Sequence, residues 1–162
     1  MIKSAQIRRI QQKDNPFIAH IIRCCLEEFG ANKPGTVYYD KSTDHLSVLF
    51  EQPQSHYFIA ELEGQIVGGG GIFASHGLPS DCCELVKMYL LPQARGVGIG
   101  AALLKHCIVE AQKEGFKKIY IETMPELKQA IGVYEKFGFE YLSKPLGDTG
   151  HFGCDVWMLK DV

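Results

Sequence analysis

Gln93-Ala94-Arg95-Gly96-Val97-Gly98-Ile99-Gly100 separates two apolar segments of different rhythm. Before it, Leu85-Val86-Lys87-Met88-Tyr89-Leu90-Leu91 reads as a strand stopped by Pro92; after it, Ala101-Ala102-Leu103-Leu104-Lys105 reads as the start of an amphipathic helix. Glycines in such a turn let the backbone approach a ligand closely. The first turn of the helix offers N–H groups with no internal partner and the positive end of the helix dipole. Together these make a phosphate or pyrophosphate site. A P-loop would end in Gly-Lys-Ser/Thr, whereas the chain continues Gly100-Ala101-Ala102. A dinucleotide fingerprint needs Gly-x-Gly-x-x-Gly, and the spacing here is Gly96-x-Gly98-x-Gly100.

A chain of 162 residues, 46% hydrophobic and 22% charged, is expected to form a single domain over residues 1–162 with one substantial core. Its net charge of −2 gives no general attraction to nucleic acid or anionic membrane, so neither is expected as a partner. No apolar run approaches the roughly 20 residues of a membrane span. Met1-Ile2-Lys3-Ser4 leads into a polar segment without a signal-peptide core, and a cytoplasmic location is expected. The six cysteines show no Cys-x-x-Cys pair, and neither they nor the six histidines have zinc-ligand spacing. They are read as free thiols or small buried residues, and no metal is expected.

In chain order, Ala5 to Ile10 reads as a strand. Asp14-Asn15-Pro16 offers a cap and an opening proline for a helix carrying Phe17, Ile18, Ile21, Ile22, Cys25, Leu26 and Phe29 at helical spacing up to Gly30. Ser42-Thr43-Asp44 caps a short helix over His45 to Phe50, and Tyr38 and Tyr39 are either packing residues or contacts for a second substrate. His56 to Leu62 and Gln65 to Phe73 form a hairpin, and the second strand contains Gly68-Gly69-Gly70-Gly71. Four glycines in a strand mark either close approach of a ligand, a bulge, or tight packing by neighbours. Cys83 to Leu91 is the fourth strand. After the glycine turn come a helix to Gly115, a strand Lys118 to Thr123, and a helix from Pro125-Glu126 to Phe137. Two strands, Phe139 to Leu142 and Cys154 to Leu159, flank a loop from Lys144 to Gly153. The order is that of a mixed α/β domain.

Arg95-Gly96-Val97-Gly98-Ile99-Gly100 resembles the acyl-CoA signature Arg/Gln-x-x-Gly-x-Gly/Ala of the GNAT acetyltransferase superfamily, at every specified position. Tyr134-Glu135-Lys136-Phe137-Gly138-Phe139 is similar to the family's later motif, and the element order agrees from end to end. The resemblance implies a GNAT-like fold, with a mostly antiparallel central sheet splayed between strands four and five and helices on both faces. It also implies an acetyltransferase that uses acetyl-CoA as donor and passes the acetyl group directly to a primary amine of a small molecule or peptide. A homodimer is left open.

The resemblance assigns cofactor contacts to the backbone of Arg95, Gly96, Val97, Gly98, Ile99, Gly100 and Ala101, and to main-chain groups of Val86, Met88 and Leu90. An amide near Met88 would polarise the thioester carbonyl. Arg95 either pairs with phosphate or points to solvent. Tyr134 takes the place of the family's general acid, the alternative being plain packing on the helix face. Glu84, alternating with Val86 and Met88 on one strand face, is the expected base, with Glu122 and His151 in reserve. Asp148, His151 and Asp155 are candidates for shaping the acceptor pocket. A competing reading is a non-catalytic acyl-CoA binding module in which the acid and base are idle.

Overall fold

A computed structural model describes residues 5–162; Met1 to Ser4, where the absence of a leader was read, lie outside the described residues. The elements run β1 (Ala5–Arg9), α1 (Asn15–Glu28), α2 (Leu46–Leu49), β2 (His56–Leu62), β3 (Gln65–Phe73), β4 (Cys82–Leu90), α3 (Ile99–Lys113), β5 (Lys118–Thr123), α4 (Lys128–Lys136), β6 (Glu140–Leu142) and β7 (Val156–Asp161). Short 3-10 turns precede α1, α2 and α3. The seven strands form one sheet in the order β1-β2-β3-β4-β5-β7-β6. Every pairing is antiparallel except β4 with β5. Among the described residues no helix is long and apolar enough to cross a membrane.

Alternation along β2 builds two cores. Phe58, Ala60 and Leu62 pack with Leu103, Leu104 and Cys107 of α3, while Tyr57 and Ile59 pack with Ile18, Ile22 and Leu26 of α1. Helices therefore cover both faces, as expected. Ile18, Ile21, Ile22, Cys25 and Leu26 of α1 are buried at helical spacing, while Phe17, expected with them, is exposed and Phe29 is only partly covered. Four of the cysteines, Cys25, Cys82, Cys83 and Cys107, are buried free thiols.

The glycine run of β3 serves packing. A Cβ on Gly69 would lie 2.6 Å from the Phe58 carbonyl oxygen and 2.7 Å from the Tyr57 ring, and one on Gly71 would lie 2.8 Å from the same ring. On the other face, a Cβ on Gly70 would press on Met88. The bare strand thus leaves room for Tyr57, whose hydroxyl donates to the Lys87 carbonyl over 2.7 Å.

That carbonyl belongs to a β-bulge. Gly69 pairs with Tyr89 but Gly71 pairs with Val86, so β4 carries one extra residue, and Lys87 sits at φ +52°. The bulge changes the phase of the strand. Glu84 and Val86 do not share a face with Met88: Met88 joins Leu85 and Leu90 against the α3 core, and Val86 joins Tyr89 against α1. Strict alternation, from which one common face was expected, fails because the inserted residue shifts the period by one.

Two further boundaries differ from expectation. Helix α3 begins at Ile99, two residues before the first alanine, because Gly98 at φ +89° supplies an N-cap turn that a residue with a side chain adopts only under strain. Helix α4 begins at Lys128, since Pro125 and Glu126 are used in a turn in which the Leu127 amide donates to the Met124 carbonyl.

Candidate active site

Strands β4 and β5 pair in register only from Cys82–Lys118 to Glu84–Tyr120. Beyond that point both strands continue, to Leu90 and Thr123, without pairing, and the sheet opens into a V. A cleft of about 410 Å³ occupies the opening, lined by β4, β5, the glycine turn, α4 and the Cys25–Phe29 end of α1.

At the outer end of the cleft, the amides of Gly96, Val97, Gly98, Ile99, Gly100 and Ala101 have no acceptor among the described residues; the first helical bond runs from Ala102 to Gly98. Consecutive unpaired donors at a helix N-terminus form an anion cradle. Gly96, Gly98, Gly100 and Ala101 line the cleft. The side chains of Val97 and Ile99 do not: Val97 is exposed and Ile99 is buried in the α3 core, so only their main chain belongs to the cradle.

Arg95 lines the cleft with its guanidinium already committed. Its Nε donates to the Leu90 carbonyl over 2.9 Å, its terminal nitrogens reach Glu28 at 2.9 and 2.7 Å, and its plane lies over Phe29. The side chain does not point to open solvent; it forms a tether between the turn and α1. The Leu90 carbonyl, one of the three strand groups assigned to the cofactor, also accepts from the Cys25 thiol. Lys128 and Lys136 of α4 line the cleft as well, and no motif pointed to them.

Tyr134 lies on the cleft wall, edge-on to Phe139 at 5.9 Å between ring centroids. Gly138 at φ +89° closes α4 and lets the Phe139 amide return to the Tyr134 carbonyl, which sets this pair. The phenol hydroxyl has no hydrogen-bond partner among the described residues, and burial pushes its pKa above the ordinary value. Such a group keeps its proton until a stronger base develops beside it.

At the closed end of the V, five ionisable side chains gather from four segments. Glu84 is 4% exposed, accepts from the Ser75 hydroxyl, and is not part of the cleft wall. Burial, with Glu122 adding to it against the opposing effect of the Ser75 hydrogen bond, pushes its pKa up to about 7. Glu122 does line the cleft and is held by the hydroxyls of Tyr120 and Thr149. His151 Nε2 bonds Asp40 over 2.7 Å. Burial pulls this imidazole down, but the Asp40 bond and charge outweigh it and leave its pKa raised. For Asp40, burial works upward, and the His151 bond together with the charges of His151 and Lys87 overcomes it. Lys87, its side chain 4% exposed, completes the group with its Nζ 3.6 Å from Asp40.

Glu84, Glu122 and His151 each bring a ligand-type atom within 4.8 Å of the others. Each is already bonded to a protein hydroxyl or carboxylate, a set that reads as a proton network more readily than as a metal cage. Sequence reading named both glutamates and His151. It missed Asp40 and Lys87, although a lone lysine inside the apolar run Leu85 to Leu91 was a visible irregularity. Asp148 and Asp155 have no part in this network. Tyr38 bonds Glu27, and Tyr39 is exposed.

Comparison with known proteins agrees with this arrangement. The model of the acetyltransferase (GNAT) family matches residues 15–139. YjgM of Escherichia coli K12, an uncharacterised N-acetyltransferase, is 44% identical over 162 residues, covering 99% of this chain and 96% of its own length. A GNAT-family acetyltransferase from Staphylococcus aureus Mu50 superposes with a TM-score of 0.85 at 17% identity, covering 98% of this chain and 99% of its own. The PaiA N-acetyltransferase of Thermoplasma acidophilum, solved in complex with coenzyme A, superposes with a TM-score of 0.76 at 17% identity over 98% of this chain and 99% of its own. At that identity the two structures speak for the fold. The splayed sheet, the family model across most of the chain and a relative similar from end to end lead to one conclusion: the chain belongs to the acetyltransferase (GNAT) family.

Proposed function

We propose that the chain, acting as a single unit, transfers an acetyl group from acetyl-CoA directly to a primary amine in the β4–β5 cleft. The observation that carries this reading is the convergence on one cleft of a six-amide anion cradle, an open strand edge and a phenol with no hydrogen-bond partner among the described residues. The residues present fit the donor. The amides from Gly96 to Ala101 would hold its pyrophosphate, Lys128 and Lys136 of α4 would add positive charge to the cleft, and the unpaired edge of β4 offers main-chain groups at Met88 to an amide-rich arm, whereas Val86 does not line the cleft. Bound there, acetyl-CoA supplies an acetyl thioester already activated toward nucleophiles.

The chain's own residues handle charge and protons. A strand amide near Met88 stabilises negative charge on the carbonyl oxygen. Glu84, with a pKa at about 7, is the base for the proton that an acceptor ammonium must lose, and Glu122 stands between it and the cleft. Tyr134 gives its proton to the departing thiolate.

Calorimetric titration with acetyl-CoA, followed by mass spectrometry of an amine panel for a gain of one acetyl group, tests the reading. Saturable binding and a single acetyl transfer are expected. Binding without transfer to any amine would leave the chain a cofactor-binding module, and absent binding at high micromolar acetyl-CoA would remove the proposal.

A further inference from the structure

The wall of the cleft beside the proposed base contains a lysine that the acetyl-transfer chemistry does not use. Lys87 occupies the extra position of the β4 bulge at φ +52°, a region that side-chain-bearing residues enter at a cost. Its side chain is 4% exposed, and its ammonium makes a long ion pair with Asp40 while lining the cleft. The nearest partner, Asp40 Oδ2, lies 3.6 Å away and is engaged at 2.7 Å by His151. One long pair, to a carboxylate shared with His151, leaves the ammonium with donor capacity toward the cleft that it lines. The main chain at this position is braced by Tyr57, so the lysine is presented by a supported backbone.

The neighbours of Lys87 narrow what that group can be. The charge of Glu84 acts on it, and Glu122, which lines the same cleft, has a carboxylate oxygen within 4.8 Å of one of Glu84. A purely acidic pocket would suit a polyamine. Here a buried ammonium sits among the carboxylates and would repel a second cationic centre on the acceptor. Paired positive and negative charges at one end of a narrow cleft complement an acceptor that itself carries both signs.

From this juxtaposition we infer that the acceptor is a small amino carboxylate of the α-amino-acid type, whose ammonium faces Glu122, with Glu84 behind it, and whose carboxylate docks on the Nζ of Lys87. The inference rests on the acetyl-transfer reading and names its substrate class. Lys87 is then a specificity residue: it holds the acceptor by a charge-assisted pair and takes no part in moving the acetyl group.

The test uses the purified 162-residue chain, acetyl-CoA, and free α-amino acids each matched with its carboxamide and its decarboxylated amine. Wild-type kcat/KM is expected to favour the free acid by about 10- to 100-fold over its carboxamide. Lys87→Met is expected to bring acid and carboxamide within about threefold of each other, chiefly through a higher KM for the acid, with Lys87→Arg restoring part of the preference. A purely structural lysine would lower both rates together and leave their ratio unchanged, which would overturn the inference. A wild-type preference for carboxamides, diamines or peptide amines would overturn it as well. In those cases acetyl transfer still proceeds and the broader reading stands; if no amine of any class gains an acetyl group, the broader reading is what has failed.

Discussion

The hydroxyl of Tyr57 on β2 donates to the carbonyl of Lys87 on β4 over 2.7 Å, reaching across the intervening strand β3 where Gly69 and Gly71 have no side chains. The glycine run, the buried tyrosine and the bulge that opens the cleft are therefore one device. Tyr57→Phe should destabilise the fold by about 1–3 kcal/mol, because the bulge carbonyl is left buried without a donor. Gly69→Ala should cost a similar amount, since a Cβ would meet a backbone oxygen at 2.6 Å as well as the ring. Urea denaturation measures both, and acetyl-CoA titration should show weaker binding by each variant. A Gly69→Ala protein as stable as wild type would show that the ring is not locked in place.

Tyr134→Phe separates packing from chemistry. The hydroxyl has no hydrogen-bond partner among the described residues, so its removal should leave the melting temperature within about 2 °C and acetyl-CoA affinity within about twofold. Turnover should fall by about 100-fold or more if the phenol supplies the proton to the thiolate. Unchanged turnover would return Tyr134 to a packing role.

Arg95 and Glu28 offer a comparison that distinguishes a tether from a phosphate ligand. Glu28→Ala frees the guanidinium, and Arg95→Ala removes it; both break the link between the glycine turn and α1. If ordering of the turn is the role of Arg95, the two variants should weaken acetyl-CoA binding to similar extents, within about threefold of each other. A loss at least 10-fold greater in Arg95→Ala would identify the guanidinium as a phosphate ligand.

Glu84 predicts a pH dependence of definite sign. With its folded-state pKa pushed up to about 7, the native protein keeps a proton that the unfolded chain gives up near 4.5. Stability should therefore fall as pH rises from about 4.5 to 7 and level off above that range, by up to about 3 kcal/mol from this group. His151, raised by Asp40 against its burial, adds in the same direction: its contribution is complete below 6.5 and is lost as pH rises through its folded-state value. Glu84→Gln should remove the first component, seen as a flatter curve of stability against pH, and should abolish the rise of kcat/KM near pH 7. A rise that survives in Glu84→Gln would move the base to Glu122 or His151.

Much of this was legible in the chain itself. The stripe Ile18, Ile21, Ile22, Cys25, Leu26 specified α1, and alternation along His56 to Leu62 specified β2 with its two faces, because helices and strands impress their own periods on apolar residues. The amide cradle was legible too, since a glycine turn opening a helix necessarily leaves donors unpaired, and Tyr134 was placed by a motif within one helix. Other features depended on contacts distant in sequence. The phase of β4 changes at Lys87 because Tyr57 and the glycines of β3 accept a bulge there, and no period read along β4 reports what its neighbours tolerate. Asp40 meets His151 across 111 positions, and Arg95 turns to Glu28 across 67. Local sequence determines backbone form and which face is apolar; which charges meet at the closed end of the cleft was decided only when the packed sheet brought distant loops within range of one another.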